Sequence, residues 1–257
     1  MTAETFYFDM RTRSKVRFDP TQMLLVFLHL EKTAGTTVND ALRSKLPETT
    51  YAWRGYGQMI NGIASGDIDG LHMLSGHFPY GLHRLVDRTC HYATMFRDPI
   101  ERLESWYYYI KRGKNLPNHA RFNEITINEW LASMRRPKEG WAHNFQAERI
   151  MGYKVPNTQA GLDHALAHVK RHFAYVCPYN KANEFLNWAA EPLGVTFDSQ
   201  PAQGKVGVNK PKVSEVDPEN RAWLTEENIV DRGLYTWTVQ NFVEMFGAEE
   251  PRAQTSA

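Results

Sequence analysis

The sequence predicts an α/β protein with a mostly parallel central sheet. Three short apolar runs, at 23–30, 71–78 and 90–96, each end abruptly at a polar or proline-containing turn. A fourth apolar run covers 173–179, and stretches with helical spacing lie between the runs. Short buried strands that alternate with helices are typical of a parallel sheet that is covered by helices.

The first strand, turn and helix form the clearest unit. The run MLLVFLHL at 23–30 predicts a fully buried strand, and the turn EKTAGTT follows it. Apolar residues then recur every four residues from Val38 to Leu46, which predicts a helix that ends before Pro47.

The remaining elements follow in chain order. Residues 47–70 are rich in glycine and predict looser structure with room for one short helix. Pro99 stands in the first turn of the helix predicted after the third run, where its missing N–H costs nothing. Helical spacing predicts later helices at 126–135, 140–152, 160–172, 181–190 and 226–246, with a loop rich in lysine and glycine at 203–212.

No internal repeat, low-complexity segment or linker divides the chain. A single domain over 1–257 is therefore expected. The polar residues 1–20 are interpreted as an N-terminal extension, and 247–257 as a frayed tail.

The charge balance argues against a protein dedicated to coating nucleic acid. The 257 residues include 30 Lys and Arg against 29 Asp and Glu, a net charge of +1 with neutral histidine, whereas such proteins have a basic composition. Two cysteines, Cys90 and Cys177, are too few for a disulfide framework or a four-ligand zinc site. The longest apolar run is too short to cross a bilayer and no signal-peptide core precedes it, so a soluble, cytoplasmic protein is expected.

The turn after the first strand is a candidate anion site. A helix N-terminus offers free backbone N–H groups and the positive end of the helix dipole. Gly35 allows close backbone approach, threonine hydroxyls can donate to phosphate oxygens, and Lys32 adds a positive charge. The lysine precedes the glycine, so the turn does not match the nucleoside-triphosphate loop GxxxxGK[ST]. The alternative is a capped helix start with a solvated lysine.

Arg97 and Ser105 form a second candidate site. Arg97 ends the third apolar run, and Ser105 follows eight residues later in the predicted helix. Because the carboxyl ends of parallel strands share one edge, Arg97 and Lys32 are expected in one crevice. An arginine with a serine hydroxyl suits a phosphate monoester, since it supplies several charge-assisted donors. The alternative is that Arg97 pairs with Asp98 or Glu101 and that Ser105 is only a small helix residue.

These motifs resemble those of sulfotransferases that use 3′-phosphoadenosine 5′-phosphosulfate (PAPS). LHLEKTAGTTV resembles their 5′-phosphosulfate loop, and FRDPIERLESWYYY resembles their 3′-phosphate strand and helix. With SGHFPYGL at 75–82 and ENIVDRGLYTWTVQNF at 227–242, the form is closest to the carbohydrate branch that includes heparan and uronyl 2-O-sulfotransferases. The resemblance implies a P-loop-like, three-layer α/β/α fold. Glu31 stands where many relatives have proline, so its carboxylate must point away from the phosphosulfate or serve another role.

The resemblance also implies roles for individual residues. Lys32 would neutralise charge that grows on the bridging oxygen and the sulfuryl group, and His77 would be the base that takes the acceptor proton. Arg97 and Ser105 would hold the 3′-phosphate, which separates PAPS from ATP. The residues expected to hold the 5′-phosphosulfate or cover the nucleotide are Lys32, Thr33, Ala34, Gly35, Thr36 and Thr37 in the turn, and Lys205 and Lys210 in the later loop.

Other histidines are weaker candidates for the base. His29 is interpreted as a core residue of the first strand, and His91 lies at the opposite edge of the sheet. The others start a strand, follow one in a loop, or fall on helices as surface or helix-end residues: His72, His83, His143, His164, His168 and His172. A possible acceptor pocket involves Trp141, Asn144, Gln146 and Arg149, and no spacing of His, Cys and carboxylates indicates a metal site.

Two other functions stay open. A P-loop-type small-molecule kinase would need the missing GK[ST] and an aspartate that ends a strand. A non-catalytic nucleotide-binding protein of the same fold would not need Lys32 and His77. For the sulfotransferase, the expected acceptor is a neutral or weakly charged glycan or other small hydroxylated molecule, because the net charge provides no basic excess for a polyanion. No nucleic acid, membrane span or metal is expected.

Overall fold

A five-stranded parallel sheet forms the centre of the protein in the computed structural model, which describes residues 4–135, 140–197 and 214–246. In chain order the strands are β1 (Thr5–Asp9), β2 (Ser14–Phe18), β3 (Met23–Leu28), β4 (Tyr51–Gly55), β5 (Met73–His77), β6 (Thr89–Phe96) and β7 (Phe173–Pro178). The sheet has the order β4-β5-β3-β6-β7, and each neighbouring pair is parallel. The predicted α/β class is confirmed.

Helices connect the strands and cover the sheet. They are α1 (Gly35–Lys45), α2 (Tyr56–Ser65), α3 (Pro99–Arg112), α4 (His119–Glu124), α5 (Ile127–Ser133), α6 (Phe145–Met151), α7 (Gln159–His172), α8 (Ala182–Leu193), α9 (Pro218–Glu227) and α10 (Ile229–Phe246). The helix predicted over 140–152 is shorter, because Gly140–Ala142 forms a 3₁₀ turn and α6 begins only at Phe145.

The two faces of β3 lie in two different apolar clusters. Leu24, Val26 and Leu28 pack in one cluster with residues of α2, α7 and α10. Leu25 and Phe27 pack in the other with residues of α1 and α8. A strand that is buried on both faces has a continuous apolar sequence, and for this reason β3 can be predicted from the sequence. The three-layer α/β/α arrangement follows from this packing.

The first strands form an antiparallel hairpin that the sequence does not predict. The hairpin is bound to the main body through its backbone: the Met10 N–H donates to the Ala174 carbonyl at 2.9 Å, and Trp188 Nε1 donates to the Phe8 carbonyl at 2.7 Å. Charged residues interrupt its apolar ones, so no apolar run marks the strands. The segment interpreted as an extension is part of the fold.

Two further differences concern segments without a strong apolar pattern. The glycine-rich segment holds the edge strand β4 as well as the short helix α2. The helix predicted over 226–246 begins three residues later, as α10, and its first two residues end the separate helix α9. The two helices are divided at Asn228, because its side chain donates to the carbonyls of Ala142 and Leu224 while Asn144 Oδ1 accepts from the N–H groups that open α10. Side chains thus satisfy the backbone groups that the break exposes. Within the described ranges, none of the helices is long and apolar enough to span a membrane.

The order of the strands creates a crevice beside β3. The chain passes from β3 to the edge strand β4, returns to β5 next to β3, and then crosses to β6 on the other side of β3. In open parallel sheets, ligands bind outside the carboxyl ends of the strands at such a point. The turn after β3 and Arg97 after β6 both lie at this edge.

Candidate active site

The turn between β3 and α1 follows a strained path. Lys32 and Ala34 both have left-handed backbone conformations, with φ of 71° and 68°, and such conformations cost a residue other than glycine roughly 1–3 kcal/mol. Thr33 is fully buried, and its hydroxyl donates to the Leu30 carbonyl at 2.7 Å. The Thr33 hydroxyl therefore stabilises the turn from inside. Backbone strain of this kind clusters at ligand sites.

The start of α1 is open to a ligand. Its N-cap residue, Ala34, has no side chain that could accept from the first N–H groups, which argues against the alternative of a capped helix start. Thr36 is exposed and Thr37 is half-buried. A Cβ on Gly35 would lie 2.0 Å from Cδ2 of His29, so the backbone packs directly on that ring. The helix start can therefore offer N–H groups and two hydroxyls to an anion.

Lys32 turns from this loop toward α3. Its Nζ lies 4.0 Å from the centre of the Tyr109 ring. Burial, together with the nearby charges of Arg112 and Arg97, lowers the pKa of Lys32 to about 8. An anion bound at this position would favour the charged ammonium again.

Arg97 joins the end of β6 to the same loop. Its Nη1 donates to the Lys32 carbonyl at 3.1 Å, its Nε lies 3.4 Å from Glu101 Oε2, and its guanidinium lies 4.2 Å from the centre of the Tyr179 ring. Arg97 therefore lies next to the Lys32 backbone, and it also makes the alternative pairing with Glu101. Asp98 instead caps α3 by accepting from the N–H groups of its first turn. Within the described part of the chain, the Nη2 end of Arg97 carries no hydrogen bond.

Gln146 fixes the backbone of Arg97. Its Oε1 accepts from the Arg97 N–H at 3.0 Å and its Nε2 donates to the Arg97 carbonyl at 2.7 Å. The backbone N–H of Gln146 donates in turn to the buried carboxylate of Asp231 at 3.0 Å. The strand end that carries Arg97 is thus held from α6 and α10.

Ser105 lies on the face of α3 that points to these two cations. Residues four apart on a helix share one face, so Ser105 stands between Glu101, which contacts Arg97, and Tyr109, which contacts Lys32. Ser105 is half-buried. Ser105 therefore shares a face of α3 with the residues that contact Arg97 and Lys32.

His77 ends β5 beside His29. The ring centres of His77 and His29 lie 4.4 Å apart, and Trp53 of β4 contacts His77 edge-on with ring centres 5.4 Å apart. His77 Nδ1 lies 2.7 Å from the His29 carbonyl. A carbonyl only accepts, so Nδ1 carries a hydrogen, and in the neutral ring Nε2 is left as the basic nitrogen.

His29 is part of a buried polar network rather than a candidate base. Its Nδ1 accepts from Asn39 Nδ2 at 3.1 Å, and Asn39 Oδ1 accepts from the hydroxyls of Tyr51 at 2.6 Å and Ser75 at 2.8 Å. Burial and the nearby His77 and Lys32 lower the pKa of His29 to about 3. His29 therefore stays neutral, as expected of a core histidine.

Glu31 points toward His77 and α6. The residue is only 9% exposed, and its Oε1 lies 4.0 Å from His77 Nδ1 and 3.5 Å from a guanidinium nitrogen of Arg149. From the sequence this carboxylate is expected to point away from the phosphosulfate or to serve another role, and in the structure it contacts a histidine and an arginine from two other elements.

A cavity of about 380 Å³ lies against α6, and Arg149 forms part of its wall. Aromatic rings, glycines and charged groups line it: Pro79, Gly140, Trp141, Phe145, Glu148, Arg149, Gly152, Tyr153 and Lys154. Of the four residues considered for an acceptor pocket, Trp141 and Arg149 line this cavity. Asn144 and Gln146 do not, because their side chains are buried in hydrogen bonds to α10, Asn157 and Arg97.

Other predicted residues lie elsewhere. Lys205 and Lys210 fall outside the described residues. His168 differs from a surface residue, because it is partly buried against Tyr80 with ring centres 4.5 Å apart. In the described ranges, no group of three or more His, Cys, Asp or Glu side chains could hold a metal ion.

Sequence patterns miss Asn39, assign Gln146 to an acceptor pocket instead of to Arg97, and do not name the partners of Glu31. Gln146 and Asn39 are ordinary amides in amphipathic stretches, and only their long-range partners reveal that they fix Arg97 and His29. Glu31 had a usable signal, since a carboxylate beside a candidate anion site needs a partner of opposite charge.

No model of a known protein family matches the chain, and no curated protein matches it. Among solved structures, a sulfotransferase from Alicyclobacillus acidocaldarius is similar with a TM-score of 0.47 and 13% identity, over 88% of this chain and 96% of that chain. A mouse sulfotransferase, SULT7A1 complexed with PAP, is similar with a TM-score of 0.36 and 14% identity, over 70% of this chain and 61% of that chain. Likeness of fold does not transfer an activity, so function is inferred from the residues of the site.

Proposed function

We propose that this protein transfers a sulfuryl group from PAPS to the hydroxyl of an acceptor. The observation that supports this most directly is the meeting of three strand ends: β3 leads into the Lys32 turn, β5 ends at His77, and β6 ends just before Arg97. A nucleotide with two separate phosphate groups needs two cationic sites, and a hydroxyl acceptor needs a base beside them.

The nucleotide is divided between the two cationic sites. The turn and the start of α1, from Thr33 to Thr37, suit the 5′-phosphosulfate because the N–H groups of Ala34, Gly35 and Thr36 carry no hydrogen bond within the described ranges and two threonine hydroxyls follow them. Arg97 and Ser105 suit the 3′-phosphate, since Ser105 shares a face of α3 with Glu101, which contacts Arg97, and the Nη2 end of Arg97 carries no hydrogen bond in the described ranges. The carbohydrate branch remains a proposal on the motifs alone.

The transfer is an in-line displacement at sulfur. The acceptor oxygen forms a bond to sulfur while the bond from sulfur to the bridging phosphate oxygen breaks. Nε2 of His77 takes the acceptor proton, and the Lys32 ammonium stabilises the charge left on the bridging oxygen. The hydrogen bond from His77 Nδ1 to the His29 carbonyl keeps the ring in the tautomer that this step requires.

The acceptor is proposed to bind in the cavity beside Arg149. Its aromatic walls suit the apolar face of a sugar or another hydroxylated small molecule. Opposite charges balance there, because Arg149 is paired with Glu31 and the nearby charge of Lys154 acts on Glu148. This balance favours a neutral or weakly charged acceptor.

Ligand binding followed by turnover tests the proposal. Adenosine 3′,5′-bisphosphate should raise the melting temperature more than adenosine 2′,5′-bisphosphate, AMP or ATP with magnesium, since these lack the 3′-phosphate. Labelled PAPS should then yield sulfated product with members of a panel of glycans, lipids and phenols, read by mass. A larger shift with ATP and a phosphorylated product would instead indicate a kinase. Binding without transfer to any acceptor would leave a non-catalytic nucleotide-binding protein.

A further inference from the structure

Glu148 brings to the cavity wall a carboxylate that has no partner in the described part of the protein. Its side chain lines the cavity and makes neither a hydrogen bond nor an ion pair with the described residues. We infer that Glu148 is a specificity-determining residue whose carboxylate accepts hydrogen bonds from two neighbouring hydroxyl groups of a polyhydroxylated acceptor. That the ligand is an acceptor rests on the proposed function, whereas its binding to the cavity can be measured without any nucleotide.

The helix α6 turns Glu148 toward the cavity. The residues of α6 and its C-cap that line the cavity are spaced three or four apart and so share one face: Phe145, Glu148, Arg149 and Gly152. The buried carboxylate of Asp231 accepts from two N–H groups in the first turn of α6, at 3.0 and 2.7 Å. Glu148 therefore stands on the cavity face of a helix whose position is fixed from α10.

The carboxylate of Glu148 is left available although its surroundings favour a partner. It is half-buried, and burial raises its pKa above the ordinary value. An ionised carboxylate only accepts hydrogen bonds, and taking it out of water without donors costs free energy. The neighbouring Arg149 does not supply them, because its guanidinium lies 3.5 Å from Glu31 instead. Donors from a ligand would therefore satisfy a group that the described residues leave unsatisfied.

The charges around the cavity favour a neutral ligand over a cation. Among the described residues, the charged groups in the wall or in contact with it are three cations and three carboxylates: Arg102, Arg149, Lys154, Glu31, Glu148 and Asp231. Arg149 pairs with Glu31, and the buried Arg102 is attracted by Asp231 and by Glu31. The positive charge of Lys154 then balances that of Glu148. A ligand cation would add an excess positive charge, whereas hydroxyl groups donate to Glu148 without adding charge.

Two hydroxyl groups match this carboxylate better than one. Both oxygens of a carboxylate can accept, so neighbouring hydroxyls of one ring fill both, while a phenol or a simple alcohol leaves one oxygen without a donor. A site that is built to hydrogen-bond hydroxyls discriminates strongly against a ligand that lacks one. Trp141 and Phe145 stack with ring centres 4.6 Å apart and supply the apolar part of the wall. The wall therefore suits a ring that has apolar CH groups and neighbouring hydroxyls.

Two side-chain contacts connect the cavity wall to His77. Arg149 lies 3.5 Å from Glu31 Oε1, and Glu31 Oε1 lies 4.0 Å from His77 Nδ1. The backbone carbonyl of Arg149 also accepts from the Tyr80 N–H at 2.9 Å, which ties α6 to the segment that follows β5. The cavity thus adjoins the proposed base, and Glu148 acts on the binding of the acceptor rather than on its proton.

Ligand-observed NMR on the free protein tests this role of Glu148. The probes are the methyl glycosides of glucose, galactose, mannose and xylose, with cyclohexanol and phenol as ligands that have a single hydroxyl. At least one glycoside should bind more tightly than cyclohexanol and phenol. Glu148→Gln should weaken the binding of that glycoside at least about tenfold and leave the affinity for phenol unchanged. Glu48→Gln is the matched control, because it removes an exposed carboxylate that precedes β4, and it should leave all affinities unchanged.

The melting temperature distinguishes this role from a structural one. Because the Glu148 carboxylate has no partner among the described residues, Glu148→Gln should keep or raise the melting temperature. A clear decrease would show that the carboxylate serves the fold and would overturn the inference. Equal glycoside binding in the wild type and in Glu148→Gln, or no binding of any glycoside, would overturn it as well.

Turnover separates this inference from the proposed function. In an active enzyme, Glu148→Gln should raise KM for a glycan acceptor and leave kcat for a phenol unchanged. Transfer to phenols but to none of the glycans would overturn the inference and leave the sulfuryl transfer standing. Glycoside binding that depends on Glu148, without sulfuryl transfer to any acceptor, would remove the proposed function and confirm Glu148 as part of a binding site for polyhydroxylated ligands.

Discussion

Arg97 donates a hydrogen bond to the backbone carbonyl of Lys32 at 3.1 Å, across the gap between two adjacent strand ends. The residue expected to bind the 3′-phosphate therefore also supports the turn expected to bind the 5′-phosphosulfate. Ser105, by contrast, touches neither the turn nor Arg97 through a hydrogen bond in the described ranges. The two residues can thus be distinguished by substitution.

Substitutions at Arg97 and Ser105 should differ in which nucleotides they affect. Arg97→Lys keeps the positive charge and removes the planar guanidinium with its several donors. It should weaken the binding of both adenosine 3′,5′-bisphosphate and AMP, because the turn loses the hydrogen bond to the Lys32 carbonyl. In this variant the affinity for the bisphosphate should fall about 10–100-fold. Ser105→Ala should weaken the binding of the bisphosphate about 3–10-fold and leave the affinity for AMP unchanged. Isothermal titration calorimetry measures both, and an equal loss for AMP in Ser105→Ala would contradict a contact with the 3′-phosphate.

Lys32 should take up a proton when an anion binds at alkaline pH. Its pKa of about 8 in the free protein lies below the ordinary value of 10.5, and a bound phosphate favours the charged form, so the pKa rises on binding. Proton uptake should be small at pH 7, where Lys32 is already charged, and largest near about pH 9, between the two pKa values. Affinity should fall as the pH rises above 8 for the same reason.

Calorimetry in buffers of different ionisation enthalpy measures this uptake. Titration of adenosine 3′,5′-bisphosphate between about pH 8 and 9.5 avoids the phosphate's own titration near pH 6. Lys32→Met should abolish the uptake. Uptake that persists in Lys32→Met would show that another group titrates.

A methyl group at Gly35 should destabilise the protein. The added Cβ would lie 2.0 Å from the His29 ring, and relief of such a contact in a packed site costs about 1–3 kcal/mol. Gly57→Ala is the matched control, because a Cβ there meets nothing within 4 Å and alanine is favoured over glycine in a helix. Urea unfolding should show a lower free energy of unfolding for Gly35→Ala and no decrease for Gly57→Ala. Equal stability of the two variants would mean that α1 and His29 can move apart freely.

His77→Asn should separate chemistry from binding. Loss of the base should lower turnover by about 10²–10⁴-fold. The affinity for adenosine 3′,5′-bisphosphate should stay nearly unchanged, because His77 lies beside the turn between β3 and α1 and not in it. His72→Asn is the control, since His72 stands at the start of β5, at the other end of the strand. Turnover that survives in His77→Asn would assign the proton transfer to another group.

The strands of the sheet interior and the ligand edge were predictable from local signals. β3 is apolar without interruption and β6 is mostly apolar, and the residues that follow parallel strands must meet at one edge. This is why Lys32, His77 and Arg97 could be expected together. The hairpin β1–β2 and the edge strand β4 were not predictable in the same way, because half-buried strands mix apolar and charged residues and depend on their neighbours for stability.

The charges of the chain also show which properties the sequence determines and which depend on the tertiary structure. The composition, with 30 basic and 29 acidic residues, argues against a polyanion as partner, and the motif order places a lysine, a histidine and an arginine at strand ends. The direction of each side chain is a tertiary property. Only the fold turns Glu31 toward His77 and Arg149, because the three residues come from separate elements and their attraction acts only once the sheet and α6 have packed.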